Sequence, residues 1–211
     1  MKIAFFTQNT KIAGVDIFIR NLINNWPHDD DISLISNSNN PGIKYLKKKI
    51  KRKFKIEKYN NSFLNKKKNF TKGFYIKTIN FLYKIIYFYN FFKKKQYDRI
   101  LIINGGFPGG ENCLSASIAW AYLKPNIKSW HNFHNYVSTD KSLIKKLFTN
   151  LRDKFFVNSI NGFISVSKSC CRSIFVRKTF KKKKVHLILN GTELSNEKKN
   201  IYLKKKTWIE K

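Results

Sequence analysis

The sequence predicts an α/β fold built on a single doubly wound sheet whose strands are mostly parallel. Two observations carry that prediction. Strand-like apolar runs alternate with helix-like segments along the chain, and residues 98–135 contain a complete strand–helix–strand unit. In that unit, residues 99–104 hold consecutive apolar residues with a β-branched bias, as in a strand buried on both faces. A glycine-rich loop (104–110) and an apolar helix-like segment (113–123) lead to a second strand at 127–130.

The other elements follow from the spacing of apolar residues. Spacings of three and four predict amphipathic helices, and short unbroken apolar runs predict strands. By these criteria we predict strands at 2–6, 31–36, 52–59, 162–166 and 185–189, and helices at 15–26, 74–92, 143–155 and 168–178. Ser167 is predicted to cap the last helix rather than to act as a nucleophile, because no G-x-S-x-G pattern surrounds it.

The charge of the chain is extreme, at +31, with 43 basic residues against 12 acidic ones. Only six of the basic residues are arginine, whereas base readout and bidentate phosphate binding favour arginine. Lys, Asn, Ile, Phe and Tyr are over-represented together, and A/T-rich codons encode these amino acids. We therefore attribute much of the charge to codon composition and disfavour nucleic acid as a partner. Nucleic-acid or membrane-surface binding without catalysis stays the alternative function.

The cysteines and the first residues bear on location. There are three cysteines, two of them adjacent (Cys170 and Cys171), so no disulfide framework is indicated. Reduced thiols fit a cytosolic protein. The apolar run at the start (residues 1–6) is too short for a signal peptide. These features predict a cytoplasmic location, with a peripheral position at the inner face of a membrane as a further expectation.

Residues 74–92 form the one candidate membrane span, because they are rich in aromatic residues and isoleucine. Lys77, Asn80 and Lys84, however, recur as a polar stripe, and each lysine near a bilayer centre costs about 3 kcal/mol. We predict a long surface helix instead. Residues 44–95 contain 18 basic residues and a single acid, Glu57, so an anionic membrane surface is an expected partner of this region. A solvated face whose charge reflects codon composition is the alternative.

Two glycine-containing loops follow predicted strands and are candidate ligand sites. Gly14 stands between the first strand and the first helix, where helix N–H groups can face an anion. Gly105, Gly106, Gly109 and Gly110 follow the strand at 99–104. They form neither a Walker loop, since no Gly-Lys-Ser/Thr follows, nor a G-x-G-x-x-G motif.

Two histidines follow the strand predicted at 127–130. A polar contact from His131 at the end of this strand is the functional interpretation, and a satisfied structural histidine is the alternative. His131 and His134 have no third ligand nearby in the sequence, so we predict no metal. Cys113 and Cys170 are interpreted as small buried residues.

In this order, the motifs resemble the N-terminal half of a family 4 glycosyltransferase of the GT-B architecture, which is a Rossmann-like domain. The matching segments span about 190 residues and comprise the opening strand (2–6), Ala13-Gly14-Val15-Asp16, Asn104-Gly105-Gly106-Phe107-Pro108-Gly109-Gly110, Trp130-His131-Asn132, the segment 162–167, and Leu189-Asn190-Gly191-Thr192-Glu193.

The resemblance implies roles for particular residues. It places His131 on the transferred sugar, so we name His131 as the candidate catalytic residue. It implies substrate or phosphate binding by Gly14, Asp16, Asn104, Gly105, Gly106, Gly109 and Gly110. The sequence departs from the family pattern at Ala13, where the family has the first glycine of a pair.

The resemblance also implies an activity and a set of partners. The activity is sugar transfer from a nucleotide-sugar to a glycan or lipid-linked acceptor with retention of configuration, without cofactor or obligatory metal. The predicted domain covers residues 1–193, and residues 194–211 form a polar tail or the start of an interdomain linker. The donor-binding Arg/Lys and E-x7-E glutamates of the family have no counterpart in these 211 residues. We therefore expect a separate C-terminal donor-binding domain, with this chain a truncated product or half of a split enzyme that is inactive alone.

Overall fold

The computed structural model describes residues 1–60, 74–106, 110–138 and 143–190, and the side chains of all of these except 74–77 and 143–148. Gly109, the side chain of Lys77, the domain boundary at residue 193 and the predicted tail at 194–211 therefore lie outside what is described. The strands of the described residues are β1 (Lys2–Thr7), β2 (Asp31–Asn37), β3 (Lys55–Tyr59), β4 (Arg99–Asn104), β5 (Ser129–Phe133), β6 (Ile160–Ser165) and β7 (Lys184–Leu187).

All seven strands join one sheet in the order β3-β2-β1-β4-β5-β6-β7, and every neighbouring pair is parallel. The α/β, doubly wound, Rossmann-like prediction is thus confirmed. The described helices are α1 (Gly14–Asn24), α2 (Gly42–Lys49), α3 (Phe74–Lys95), α4 (Glu111–Leu123), α5 (Leu143–Asn158) and α6 (Lys168–Ile174), with a 3₁₀ helix at Lys178–Lys182.

Strand register divides the buried side chains between two faces of the sheet, because successive residues of a strand point to opposite sides. Phe6, Ile102 and His131 stand side by side on one face. This α3 face is covered by α3, α4 and α5, whose buried aromatic residues form the core there: Phe88, Phe92, Trp120 and Phe156. The opposite face, the α1 face, carries Ile103 packed with residues of α1 and α2.

Several predicted bounds are wrong. β3 begins at Lys55 rather than at 52, and α6 ends at Ile174 rather than at 178. The strand predicted at 127–130 is shifted along the chain. β5 covers Ser129–Phe133 rather than 127–130. The indole of Trp120 donates to the carbonyl of Ile127 at 2.6 Å, and the Ile127 N–H donates to the carbonyl of Lys124. These bonds hold Ile127 in a turn against α4, so the strand begins later. His131 consequently lies in the middle of β5 instead of at its end.

Helix α3 is the long surface helix expected from residues 74–92. No described helix is long and apolar enough to cross a membrane. Lys84, from the predicted polar stripe, is buried and pairs with Glu111 at the start of α4. The short helix α2 was not predicted, because its core contacts rest on only two large apolar residues, Ile43 and Leu46.

Three smaller predictions are confirmed. The hydroxyl of Ser167 accepts from the Cys170 N–H at 3.2 Å and so caps α6. Cys113 and Cys170 are buried. Burial raises the pKa of the Cys113 thiol to about 12, so Cys113 is a packing residue rather than a reactive thiolate.

Candidate functional site

A cleft of about 370 Å³ opens at the carboxyl ends of β1, β4 and β5. The strand order reverses between β1 and β4, and doubly wound sheets bind ligands outside the strands at such a switch point. Residues of the loops after four strands line it: Gln8, Asn9, Thr10, Lys11, Ala13, Gly14, Val15, Asn104, Gly105, His134, Asn135 and Asn190.

The loop between β1 and α1 is held by two buried polar residues. Asn37, at the end of β2, accepts from the Asn9 N–H at 2.9 Å and donates to the Asn9 carbonyl at 2.7 Å. Asp16 accepts from the Ala13 N–H at 2.9 Å and from the Asn9 side chain at 3.1 Å. Asp16 is fully buried and does not line the cleft. Its observed role is therefore to shape the loop.

Gly14 is the first residue of α1 and lines the cleft. A Cβ at Gly14 would meet no atom within 4 Å, so the space beside its backbone is open. The amino end of a helix carries the positive end of the helix dipole and favours an anion. Gly14 thus lies in the lining of the cleft at the amino end of α1, and its role in binding stays a prediction.

The loop after β4 contributes Asn104 and Gly105 directly to the cleft. Gly110, which precedes α4, has a φ of +61°, and a Cβ there would lie 2.8 Å from Oδ1 of Asn104. Only glycine fits both the left-handed backbone and this close approach. Gly106 does not line the cleft, but a Cβ there would come within 3.3 Å of the side chain of Asn135. The two glycines thus act on the packing of the loop.

His131 is fully buried on the α3 face and does not line the cleft. Its Nδ1 lies 3.3 Å from the hydroxyl of Ser117, and its ring packs on Phe133 and Phe156. Burial lowers the pKa of His131 to about 3. No structural observation brings His131 into contact with the cleft, and its catalytic role stays a prediction.

His134 is the histidine that lines the cleft, and no binding or catalytic role was predicted for it. Its ring contacts Phe18 of α1 edge-on, with 4.5 Å between the ring centroids. The backbone N–H of His134 donates to the carbonyl of Asn104 at 3.2 Å. Burial lowers the pKa of His134 to about 4, so the ring is neutral near pH 7. Its Nε2 has no hydrogen-bond partner among the described residues.

The two histidines cannot share a metal ion. They are three residues apart around β5 and project toward opposite faces, His131 to α4 and α5 and His134 to α1. Within the described parts of the chain, no group of three His, Cys, Asp or Glu residues is placed to hold a metal.

The lining of the cleft carries little charge. Among the described residues that line the cleft, Lys11 is the one charged side chain, and most of the others are neutral hydrogen-bonding groups. A wider hollow of about 760 Å³ lies at the amino ends of the strands, between charges of both signs such as Lys2, Asp31 and Asp98. Doubly wound sheets do not place their ligands at that edge, so the cleft at the carboxyl ends is the candidate site.

Comparison with known proteins shows which folds the chain resembles. No protein-family model and no curated protein sequence matches the chain. A UDP-N-acetylglucosamine 2-epimerase matches 89% of this chain and 47% of its own, with a TM-score of 0.52 and 11% identity. The S. aureus MnaA–UDP structure matches 89% of this chain and 43% of its own, with a TM-score of 0.51 and 7% identity. The structure of Anabaena Alr3699/HepE with UDP and glucose matches 98% of this chain and 50% of its own, with a TM-score of 0.50 and 12% identity.

The chain has a GT-B-type Rossmann-like fold. At these identities the likeness extends to the fold alone. The chain spans about half the length of the solved structures it matches.

Proposed function

We propose that the chain is the acceptor-side, N-terminal domain of a family 4-like GT-B glycosyltransferase. The reaction is transfer of a sugar from a nucleotide-sugar to a glycan or lipid-linked acceptor, with retention of configuration and with neither cofactor nor metal. A separate donor-binding domain completes the enzyme, and the reaction takes place on the cytoplasmic side of a membrane.

The observation that carries the proposal is the lining of the cleft. Amide and hydroxyl side chains such as Asn9, Thr10, Asn104 and Asn135 both donate and accept hydrogen bonds. Such neutral groups suit the hydroxyls of a sugar. A site dedicated to phosphates would be expected to hold more cations than Lys11 alone.

The amino end of α1 supplies what a diphosphate leaving group needs on this side of the cleft. Gly14 leaves the backbone open to a close approach, and the helix dipole stabilises negative charge that develops as the sugar departs. Further cations and the nucleotide contacts are assigned to the donor-binding domain. The ligands of two of the solved structures, UDP in one and UDP with glucose in the other, support a nucleotide-sugar as donor.

We assign to His134 the contact with a sugar hydroxyl, because its neutral ring lines the cleft. His131 would reach a ligand only if its contact with Ser117 opened and the ring left the α3 face. A role for His131 in catalysis thus predicts a conformational change.

A two-part experiment tests the proposal. The ¹⁵N-labelled chain is titrated with maltotriose and with UDP-glucose while amide shifts are recorded. We expect shifts in residues 9–15 and 104–106 with at least one probe. Gly14→Leu should abolish these shifts, since its side chain would extend into open cleft space, whereas the control Lys47→Leu on α2 should keep them. Shifts confined to other regions would refute the site.

The second part concerns completeness. The DNA downstream of this chain is read for a second Rossmann-like domain with an E-x7-E element, and the two products are purified together. Sugar transfer by the pair, with little by this chain alone, is the expected result. Robust transfer by the 211-residue chain alone would refute the need for a donor-binding domain.

Nucleic-acid binding is the alternative that the charge of +31 favours. It predicts sub-micromolar binding of single strands with a steep dependence on salt. Binding of a labelled oligonucleotide that persists at about 0.15 M salt would support it, and loss of binding there would reject it.

A further inference from the structure

The outer face of α3 carries an apolar stripe that the protein leaves exposed. Ile79, Leu82, Tyr83 and Ile86 recur at spacings of three and four, so they lie along one side of the helix. Their exposed fractions are 42%, 53%, 42% and 60%. We call these four residues the docking stripe. Exposed apolar residues scattered singly are ordinary, whereas four in register on one helix mark an interaction surface.

The exposure does not come from a loosely attached helix. The opposite side of α3 buries Phe88 and Phe92 in the core, where both contact Phe6 edge-on. Lys84, also on the inner side, is tied to Glu111 of α4. The helix is thus fixed on the sheet, and the docking stripe is presented outward in a defined orientation.

Lysines continue the line of the stripe. Lys93 and Lys94 are exposed and lie seven and eight residues beyond Ile86, hence on the same side of the helix. The chain as a whole carries +31. A surface that combines exposed apolar side chains with flanking lysines complements a layer that offers apolar depth beneath anionic groups.

A second copy of the chain fits this surface less well. Pairing two stripes would bring two sets of lysines and two chains of charge +31 together, and like charges oppose such association. An anionic bilayer reverses the sign of that interaction. We infer that the docking stripe of α3 seats on the surface of an anionic lipid bilayer, with Lys93 and Lys94 beside the headgroups.

The position of α3 relates this surface to the cleft. Helix α3 precedes β4 in a parallel sheet, so it runs opposite to the strands, and its first half lies toward their carboxyl ends. Its 22 residues span about 33 Å, against about 20 Å for the six residues of β4. Ile79, Leu82 and Tyr83 of the docking stripe therefore lie on the half of α3 nearer the cleft, whereas Lys93 and Lys94 lie toward the opposite edge of the sheet. The inference stands without sugar transfer.

Vesicle flotation tests the inference. The purified chain is mixed with vesicles of phosphatidylcholine alone or with 30% phosphatidylglycerol, at about 0.15 M salt. We expect recovery with anionic vesicles and at least fivefold less with neutral ones. Leu82→Gln/Ile86→Gln should lower the anionic recovery at least fivefold. The control Ile17→Gln/Val176→Gln, at positions 48% and 55% exposed outside α3, should retain it.

Two outcomes would overturn the inference. One is equal recovery of both double variants, which would mean that binding does not use the stripe. The other is a dimer, seen by sedimentation, that Leu82→Gln/Ile86→Gln dissociates while vesicle recovery is unchanged; a second copy would then be the occupant.

Lysine variants test the orientation. Lys93→Gln/Lys94→Gln should lower recovery more than Lys47→Gln/Lys48→Gln on α2, which covers the α1 face. An equal loss in both would show that charge acts diffusely and would refute seating through α3. Circular dichroism should be unchanged in all variants, since every replaced side chain is exposed.

Discussion

The hydroxyl of Ser117 lies 3.3 Å from Nδ1 of His131 and donates its single proton to the carbonyl of Cys113 at 3.1 Å. The hydroxyl can serve both neighbours at once when it accepts from Nδ1–H of the imidazole. Nε2 of His131 has no partner among the described residues. His131 is thus a neutral, buried histidine, because burial lowers its pKa to about 3.

His131 should make the stability of the protein sensitive to acid. The unfolded chain protonates histidine near pH 6.5, whereas burial holds the pKa of folded His131 at about 3. Between these values the unfolded state binds more protons, so the free energy of unfolding falls as pH is lowered. His131→Phe should reduce that fall by about 1.4 kcal/mol per pH unit between pH 6 and 4. Urea unfolding at several pH values measures it.

The control for this series replaces an exposed histidine, His28→Asn, and should leave the slope of the native protein. An unchanged slope in His131→Phe would contradict the burial of a neutral imidazole. His134 gives a second, independent contribution of the same sign, because burial lowers its pKa to about 4.

Two glycines beside the same loop should respond in opposite ways to alanine. A Cβ at Gly42 would lie 2.2 Å from Oδ1 of Asp16, so Gly42→Ala must displace the carboxylate that holds Ala13. We expect a loss of about 1–3 kcal/mol. Gly14→Ala meets open space and should be neutral or stabilising by up to about 1 kcal/mol. Chemical denaturation compares the two, and equal effects would contradict the observed packing.

Replacing Glu111 should cost more stability than replacing its ion-pair partner Lys84. The Lys84 side chain is 9% exposed and that of Glu111 39%. Glu111→Gln leaves a buried ammonium without its counter-ion and should cost about 2 kcal/mol, whereas Lys84→Met replaces it with an apolar chain and leaves Glu111 to water. Lys84→Met should therefore change the free energy of unfolding by less than about 1 kcal/mol. Reversal of this order would disprove the burial of Lys84.

Asn37 should control the loop that forms one wall of the cleft. Asn37→Leu leaves the N–H and carbonyl of Asn9 without the two bonds that Asn37 supplies, at a cost of about 1–3 kcal/mol. Amide exchange in residues 9–15 should accelerate. Asn24→Leu removes surface hydrogen bonds of α1 and serves as the control. Similar exchange in both variants would argue against the anchoring role of Asn37.

The order of strands and helices could be predicted from sequence because each buried strand is a local apolar run, as at 99–104. The position of His131 could not. The turn that delays β5 depends on a bond from Trp120 to Ile127, which is a tertiary contact without a local signal. His131 was therefore expected at the end of the strand and is found at its centre.

Parts of the cleft carried a usable signal. Gln8 and Asn9 directly follow β1, and His134 directly follows β5; polar residues just beyond a buried parallel strand are placed at the ligand edge. The orientation of Asp16, in contrast, could not be predicted from the sequence. Sequence position put it in the loop, but only the structure shows its carboxylate turned inward onto Ala13 and Asn9.

The central place of β1 in the sheet has a consequence for synthesis. Ile3 of β1 pairs with Arg99 of β4, which the ribosome adds 96 residues later. At about 5–20 residues per second this delay is roughly 5–20 s. During that time Phe5 and Phe6, both fully buried in the finished sheet, have only one of their two neighbouring strands available. We expect the nascent chain to expose these apolar side chains until residue 104 has left the ribosome.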